Sequence, residues 1–98
     1  MPRPKKSRWI GHQPFALLFK PQGIPMRVLE QIPIELDELE AMRLADLEGM
    51  SQASAAERMQ VSRATFGRIL AAAHRKTAQA LVQGKAIRIT GQADENIG

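Results

Sequence analysis

The stretch SQASAAERMQVSRATFGRIL, residues 51–70, decides the fold of this chain. Ser51 and Ser62 are of the residue type that favours the N-cap position of a helix. They predict one helix over 52–59 and a second helix that begins directly after Ser62. Only two residues separate the end of the first helix from the cap of the second, which is too short for antiparallel packing. The two helices must cross steeply, and this is the geometry of a helix-turn-helix.

The apolar residues of this stretch fit that geometry. Ala56 is small at the point where the two helices approach each other, and Val61 fills the turn. Gln60 stands where such turns often require a positive φ. Phe66 and Ile69 are one helical turn apart and predict the inner face of the second helix. The residues predicted to point outward near its N-terminus are Arg63, Ala64, Gly67 and Arg68.

Further helix signals lie on both sides of this stretch. Upstream, Asp37 can cap a helix, and the Glu40 side chain can reach back to the backbone N–H of Asp37. Gly49 is suited to end that helix because glycine adopts the left-handed conformation freely. Downstream, the second helix of the stretch is predicted to cover 63–83 and to end at Gly84. The chain is therefore predicted to contain three helices.

Short strands are predicted to flank the helices. Phe15 to Lys20 is apolar and stops at Pro21, which predicts a short strand. Over residues 32–36, apolar side chains alternate with Pro33 and Glu35, which predicts an extended segment. Pro33 restricts this segment to a sheet edge because proline lacks an N–H donor. Lys85 to Thr90 alternates like a half-buried strand and could pair with the first strand.

The fold class that follows is mainly α, a three-helix helix-turn-helix with short flanking β-strands. At 98 residues the chain has room for one domain. We predict a flexible basic arm over 1–12, one folded domain over 13–90 and a disordered tail over 91–98.

The charges are strongly segregated along the chain. The net charge is +4, yet eight of the ten acidic residues lie between Glu30 and Glu57. From Arg58 through Ala93 there are seven basic residues and no acidic one. This pattern favours an anionic partner over a merely solvated surface.

Double-stranded DNA is the partner that this combination predicts. Small residues beside long basic ones let a helix enter the major groove while arginines reach bases or phosphates. The alternative is a generic three-helix bundle in which Arg63 and Arg68 are only solvated. The arm could enter a minor groove, or it could be a solubilising tail. The candidate DNA-binding residues are Ser51, Ser62, Arg63, Ala64, Thr65, Gly67, Arg68, Arg75 and Lys76, with Arg3, Lys5 and Lys6 of the arm.

Other classes of function find little support in the sequence. The absence of cysteine excludes disulfides and thiol nucleophiles, and His12 and His74 are too few for a metal site. No phosphate-binding glycine loop and no nucleophile–histidine spacing is present, so we expect no enzyme, no metal and no cofactor. No apolar run is long enough for a membrane span, and we expect a cytoplasmic, nucleoid-associated protein.

The sequence also resembles known families. Similarity to region 4 of bacterial sigma factors rests on Leu44 to Gln52, Ala56 to Met59 and Val61 to Phe66. The chain resembles uncharacterised protein family 0251, small prokaryotic proteins predicted to bind DNA, in Met1 to Lys6, Phe19 to Pro25 and Leu36 to Asp46. These resemblances imply a sigma-like helix-turn-helix in a bacterial protein with no established target. With the charge pattern, they lead us to expect a transcriptional regulator. The chain departs from the family pattern at Gln60, where relatives usually have glycine, and at Ala53-Ser54, where they have a glutamate pair.

Three expectations about protein partners remain open. A homodimer could form through 85–90 if that strand does not pair within the chain. The acidic stretch Glu35 to Glu48 is expected to be a solvated helix face, although by analogy with sigma factors it could contact RNA polymerase. The same helix-turn-helix could instead serve a sigma- or polymerase-associated adaptor. Phosphate contacts would make binding depend steeply on salt, whereas an apolar protein interface would not.

Overall fold

A computed structural model describes residues 17–91 as three helices and a small mixed sheet of three strands. Helix α1 covers Leu36–Met42 and continues as a π-helical segment over Arg43–Leu47. Helices α2 and α3 cover Gln52–Met59 and Arg63–Gln83, which confirms the predicted bounds of both. The strands are β1, β2 and β3, at Leu18–Phe19, Gln31–Glu35 and Ala86–Thr90, and a 3₁₀ turn lies at Met26–Val28.

The sheet joins the two ends of the helical part of the chain. Its order is β1-β3-β2, in which β1 is antiparallel to β3 and β2 is parallel to it. The parallel register sets Ile32 opposite Ile87 and Ile34 opposite Ile89. All three helices therefore form the crossover connection between β2 and β3.

Two of the strand predictions are confirmed and one is corrected. Segment 31–35 is an edge strand, as Pro33 requires, and β3 does pair with β1. Within the described residues β1 is shorter than the predicted strand, because only Leu18–Phe19 pair, and Phe15 lies outside those residues. Because β3 is the central strand with a neighbour on each side, the condition for a homodimer surface at 85–90, that this strand does not pair within the chain, is not met.

The start of α1 was misassigned by two residues. Its N-cap is Glu35, with extended backbone, instead of Asp37. The Glu35 backbone N–H donates to Oε1 of Glu38 at 3.0 Å, which forms the reciprocal arrangement of a capping box. Asp37 lies buried in the first turn, and Glu40 is buried further along. The helix can begin earlier because Glu35 and Glu38 have the same spacing as Asp37 and Glu40.

The core holds α2 and α3 against α1. Phe66 is fully buried on α3 and packs in one cluster with Leu44 and Met59. Ala56, also buried, lets α2 approach α3 closely, as predicted, and Val61 packs against this cluster from the turn. A second, smaller cluster joins the sheet to α1 through Ile34, Leu36 and Ile89. The first cluster therefore holds α3 in place, and the second holds the sheet to α1.

The turn between α2 and α3 contains a strained residue. Gln60 has φ 62° and ψ 43°, the left-handed conformation that the sequence predicts, and it is the one non-glycine residue with positive φ within 17–91. A side chain in this conformation costs about 1 kcal/mol, whereas glycine adopts it freely.

Replacing Gln60 with glycine is expected to leave the free energy of unfolding unchanged or to raise it slightly. The relief of strain offsets the greater entropy that glycine gives the unfolded chain, about 0.4–1 kcal/mol. Gln60→Ala keeps the Cβ atom and is the matched control, expected within about 0.5 kcal/mol of the parent protein. Urea unfolding followed by circular dichroism measures both variants. A loss clearly above about 1 kcal/mol for Gln60→Gly would contradict the strain argument.

Candidate nucleic-acid interface

The N-termini of α2 and α3 have the character of anion-binding ends. The Ser51 hydroxyl accepts from the Ser54 backbone N–H at 3.1 Å, and the Ser62 hydroxyl accepts from the Thr65 N–H at 3.0 Å. Neither helix has an acidic residue in its first turn, whereas α1 has Asp37 there. The positive ends of both helix dipoles are therefore not neutralised by an acidic side chain in that turn.

The outer face of α3 combines small and basic residues. Around the helix, at about 100° per residue, Ala64, Gly67 and Ala71 form a central strip. Arg63 lies on one side of this strip, and Arg68 and Arg75 lie on the other. The three arginines are exposed, and within the described part of the chain none of them is in an ion pair. Their charge is available to an external anion.

Arg68 is directed toward the N-terminus of α3 by a short hydrogen-bond chain. Ser62 Oγ donates to Thr65 Oγ1 at 3.0 Å, and Arg68 Nη2 donates to the same hydroxyl oxygen at 3.3 Å. The chain holds the guanidinium over the first turn of the helix. The positive charge of Arg68 and the positive end of the α3 dipole therefore lie close together, at the N-terminus of the helix.

Two residues of this face were missed by sequence reasoning. Ala71 follows Gly67 by four positions, so helical periodicity alone could have identified it. Gln52 is the first residue of α2, and its Oε1 lies 3.5 Å from where a Cβ on Gly67 would stand. The signal for Gln52 was its position directly after the Ser51 cap. Gly67 leaves room for the side chain of Gln52 beside α3.

Comparison with known proteins assigns the family. Residues 1–96 match the family described as "Protein of unknown function DUF134". The chain is 53% identical over 91 residues to a UPF0251 protein of Thermoanaerobacter pseudethanolicus, covering 93% of this chain and 77% of that protein. The chain belongs to the UPF0251 family.

UPF0251 relatives of similar identity come from other organisms. A UPF0251 protein of Vibrio vulnificus is 50% identical over 95 residues, which cover 97% of this chain and 95% of that protein. One from Prosthecochloris aestuarii is 54% identical over 89 residues, 91% of this chain and 57% of the relative. No solved structure matches this UPF0251 chain significantly.

Lys76 of this UPF0251 protein stands apart from the other candidate residues. It lies about 100° around α3 from Arg75, on the side that packs against α1. Its Nζ donates to Oε1 and Oε2 of Glu38 at 2.9 and 3.0 Å. Lys76 holds α3 to the start of α1, so its charge is already compensated.

The acidic stretch 35–48 is not the solvated face that the sequence suggested. Arg43 Nε and Nη2 donate to the two carboxylate oxygens of buried Glu40, each at 2.9 Å, and the hydrogen bond to Glu40 raises the pKa of Arg43. His74 Nε2 lies 2.7 Å from Asp46 Oδ2. The Asp46 and Glu38 carboxylates connect this helical stretch to α3, whereas Glu40 is paired within it, and the one-dimensional charge pattern could not reveal either arrangement.

The remaining predictions about the site concern features outside this interface. Arg3, Lys5, Lys6 and the predicted arm lie outside the described residues. Within 17–91, no group of three acidic or histidine side chains could hold a metal ion. No helix in the same range has the length and apolar character needed to cross a membrane.

An open apolar groove lies on another side of the UPF0251 domain. The volume of this groove is about 430 Å³. Its lining residues come from α1 and the π-helical segment and are Leu39, Met42, Arg43, Asp46 and Leu47. Leu47 is 78% exposed at its edge. None of these lining residues belongs to α3.

Proposed function

We propose that this protein binds double-stranded DNA sequence-specifically and regulates transcription, with the N-terminal half of α3 in the major groove. The observation that carries the proposal is the outer face of α3, where exposed Arg63, Arg68 and Arg75 flank a strip of small residues and form no ion pair with any residue of 17–91. The small residues let the helix backbone approach base edges, and the arginines reach guanine or phosphate.

The arrangement of α2 and α3 supports a helix-turn-helix like that of sigma factor region 4. Three residues, 60–62, connect the helices, and Phe66 anchors α3 so that its opposite face points outward. In this role α2 crosses the DNA backbone with its N-terminus directed at a phosphate, where Ser51 and Gln52 lie. Residues Arg3, Lys5 and Lys6 would add contacts to the backbone or the minor groove.

Affinity for duplex DNA is expected to fall steeply with salt. If about six phosphates are contacted, the log–log slope is near −5, so doubling the salt concentration weakens binding about thirtyfold. Fluorescence anisotropy with a labelled mixed-sequence duplex measures the slope. No binding at low salt, or affinity indifferent to salt, would overturn the proposed function.

A matched pair of variants localises those contacts. Arg75→Ala removes one exposed arginine of the α3 face and should reduce the slope by about 1. Arg27→Ala removes an exposed arginine from the 3₁₀ turn and should leave the slope unchanged. An equal effect of both variants would contradict the assignment of the α3 face.

The apolar groove favours a second candidate function, that of an adaptor for RNA polymerase or a sigma factor. Leu47 is largely exposed beside apolar walls, which suits insertion of a partner's side chain. Binding of purified RNA polymerase that is insensitive to salt and lost in Leu47→Glu would support this candidate. Steep salt dependence with normal binding by Leu47→Glu would support DNA.

A further inference from the structure

The carboxamide of Gln52, the first residue of α2, lies beside the outer face of α3. Its Oε1 atom is 3.5 Å from the position that a Cβ atom on Gly67 would occupy. Gly67 belongs to the central strip of small residues on that face, together with Ala64 and Ala71. A second helix therefore contributes a polar side chain to the margin of the strip.

The polar atoms of this carboxamide are available to an external partner. Gln52 is exposed, and within residues 17–91 its side chain makes no hydrogen bond. The hydroxyl of nearby Thr65, by contrast, already accepts from Ser62 and Arg68. A glutamine amide holds a donor and an acceptor side by side, without a charge. Gln52 thus adds a group of a different kind to a surface whose other long side chains are arginines.

Gln52 and Arg68 flank the strip at nearly the same height along α3. Gly67 and Arg68 are consecutive, so they differ by about 100° around the helix and by about 1.5 Å along its axis. Gly67 lies toward the side of the strip that Arg63 borders, and Arg68 lies on the other side. The Gln52 amide and the Arg68 guanidinium can therefore reach neighbouring base pairs of one groove.

We propose that Gln52 determines specificity by making two hydrogen bonds to an adenine in the major groove, next to the guanine that Arg68 contacts; this step rests on the proposed function. Adenine presents the N7 acceptor and the N6 donor at its major-groove edge, and a glutamine amide complements both at once. A phosphate group only accepts hydrogen bonds, so it would leave the Oε1 acceptor of Gln52 unmatched. The backbone N–H groups at the start of α2 are the better partners for a phosphate.

Binding-site selection on the full chain and on two Gln52 variants tests this assignment. Gln52→Ala is expected to reduce the discrimination for adenine at one position at least about fivefold, while the guanine assigned to Arg68 is still selected. Gln52→Glu is expected to change the preferred base at that position from adenine to cytosine, because a carboxylate accepts from the N4 amino group of cytosine. Glutamate in the first turn of α2 agrees with the helix dipole, so we expect this variant to remain folded.

Gln83→Glu is the matched control because it makes the same exchange at another exposed glutamine. Gln83 is the last residue of α3, about 24 Å along the axis from Gly67. Its replacement should leave the preferred sequence unchanged. Circular dichroism checks that all three variants keep the helical content of the parent. A new base preference in Gln83→Glu would overturn the assignment, because added charge alone would then explain the result for Gln52→Glu.

The outcomes distinguish the role of Gln52 from the proposed function. A parent protein that selects no sequence refutes both. If the parent selects a sequence and Gln52→Ala keeps every preference, or weakens all sequences by one factor, Gln52 contacts no base and the proposed function stands. A Gln52→Glu variant that still prefers adenine at that position overturns the assignment in the same way.

Discussion

Replacing Arg68 with alanine is expected to cost about 1–3 kcal/mol of binding free energy at the preferred DNA site and to relax the preference at one base pair. The hydrogen-bond chain through Thr65 holds the Arg68 guanidinium over the first turn of α3. A helix that enters the major groove by its N-terminus brings that group to base edges, where a bidentate contact to guanine is worth this amount. Binding-site selection on the variant measures the lost preference.

Arg75 and Lys76 provide neighbouring controls on the same helix. Arg75 is exposed about two turns beyond Arg68, where in the proposed complex the helix would have left the groove, so Arg75→Ala should weaken all sequences alike. Lys76 is bound to Glu38, so Lys76→Ala should affect stability more than affinity. If Lys76→Ala changed the preferred sequence while Arg68→Ala left it intact, the recognition face would be wrong.

Glu40→Ala is expected to lower the free energy of unfolding by about 3 kcal/mol. The Glu40 side chain is 1% exposed and makes two hydrogen bonds to Arg43. Removing one partner of a buried ion pair leaves the other poorly compensated, which costs roughly 3–5 kcal/mol. The lower figure applies because Arg43 keeps some exposure and lies 3.5 Å from Glu48.

Glu48→Ala is the matched control because it removes a carboxylate from the same arginine. Glu48 is 51% exposed, and exposed pairs contribute about 0–1 kcal/mol. Chemical denaturation of both variants should therefore separate them by about 2 kcal/mol or more. Equal losses would mean that the burial of Glu40 contributes nothing beyond a surface pair.

Local signals allowed the helical part to be predicted from sequence. Ser51 and Ser62 act through hydrogen bonds within three residues, and Gln60, Gly49 and Gly84 through their own φ angles. Such features depend on neighbours in sequence, so a short window was sufficient for α2 and α3. At α1 two acidic pairs have the same spacing, Glu35 with Glu38 and Asp37 with Glu40, and the window did not distinguish the true N-cap. The arginines of the α3 face followed because Phe66 and Ile69 fix which side of that helix is buried.

Contacts between distant residues could not be predicted in this way. Glu38 meets Lys76 across 38 positions, and that contact depends on how α3 is rotated against α1. The sequence predicts that Lys76 binds DNA because it shows the charge of Lys76 but not the contact with Glu38. The parallel pairing of β2 with β3 could not be predicted either, because it joins residues that are far apart in the sequence. Each strand is also only five residues long, which gives a weak signal.

That parallel pairing has a consequence during synthesis of the chain. Among residues 17–91, strand β2 pairs with β3 alone, and Gln31 meets Ala86, which leaves the ribosome 55 positions later. At about 5–20 residues per second, β2 waits roughly 3–11 s for its partner. During that interval Ile32 and Ile34 form an unpaired apolar strand of the kind that aggregates with other chains. Pro33, between them, withholds a backbone donor and makes the nascent strand a poor template for incorrect pairing.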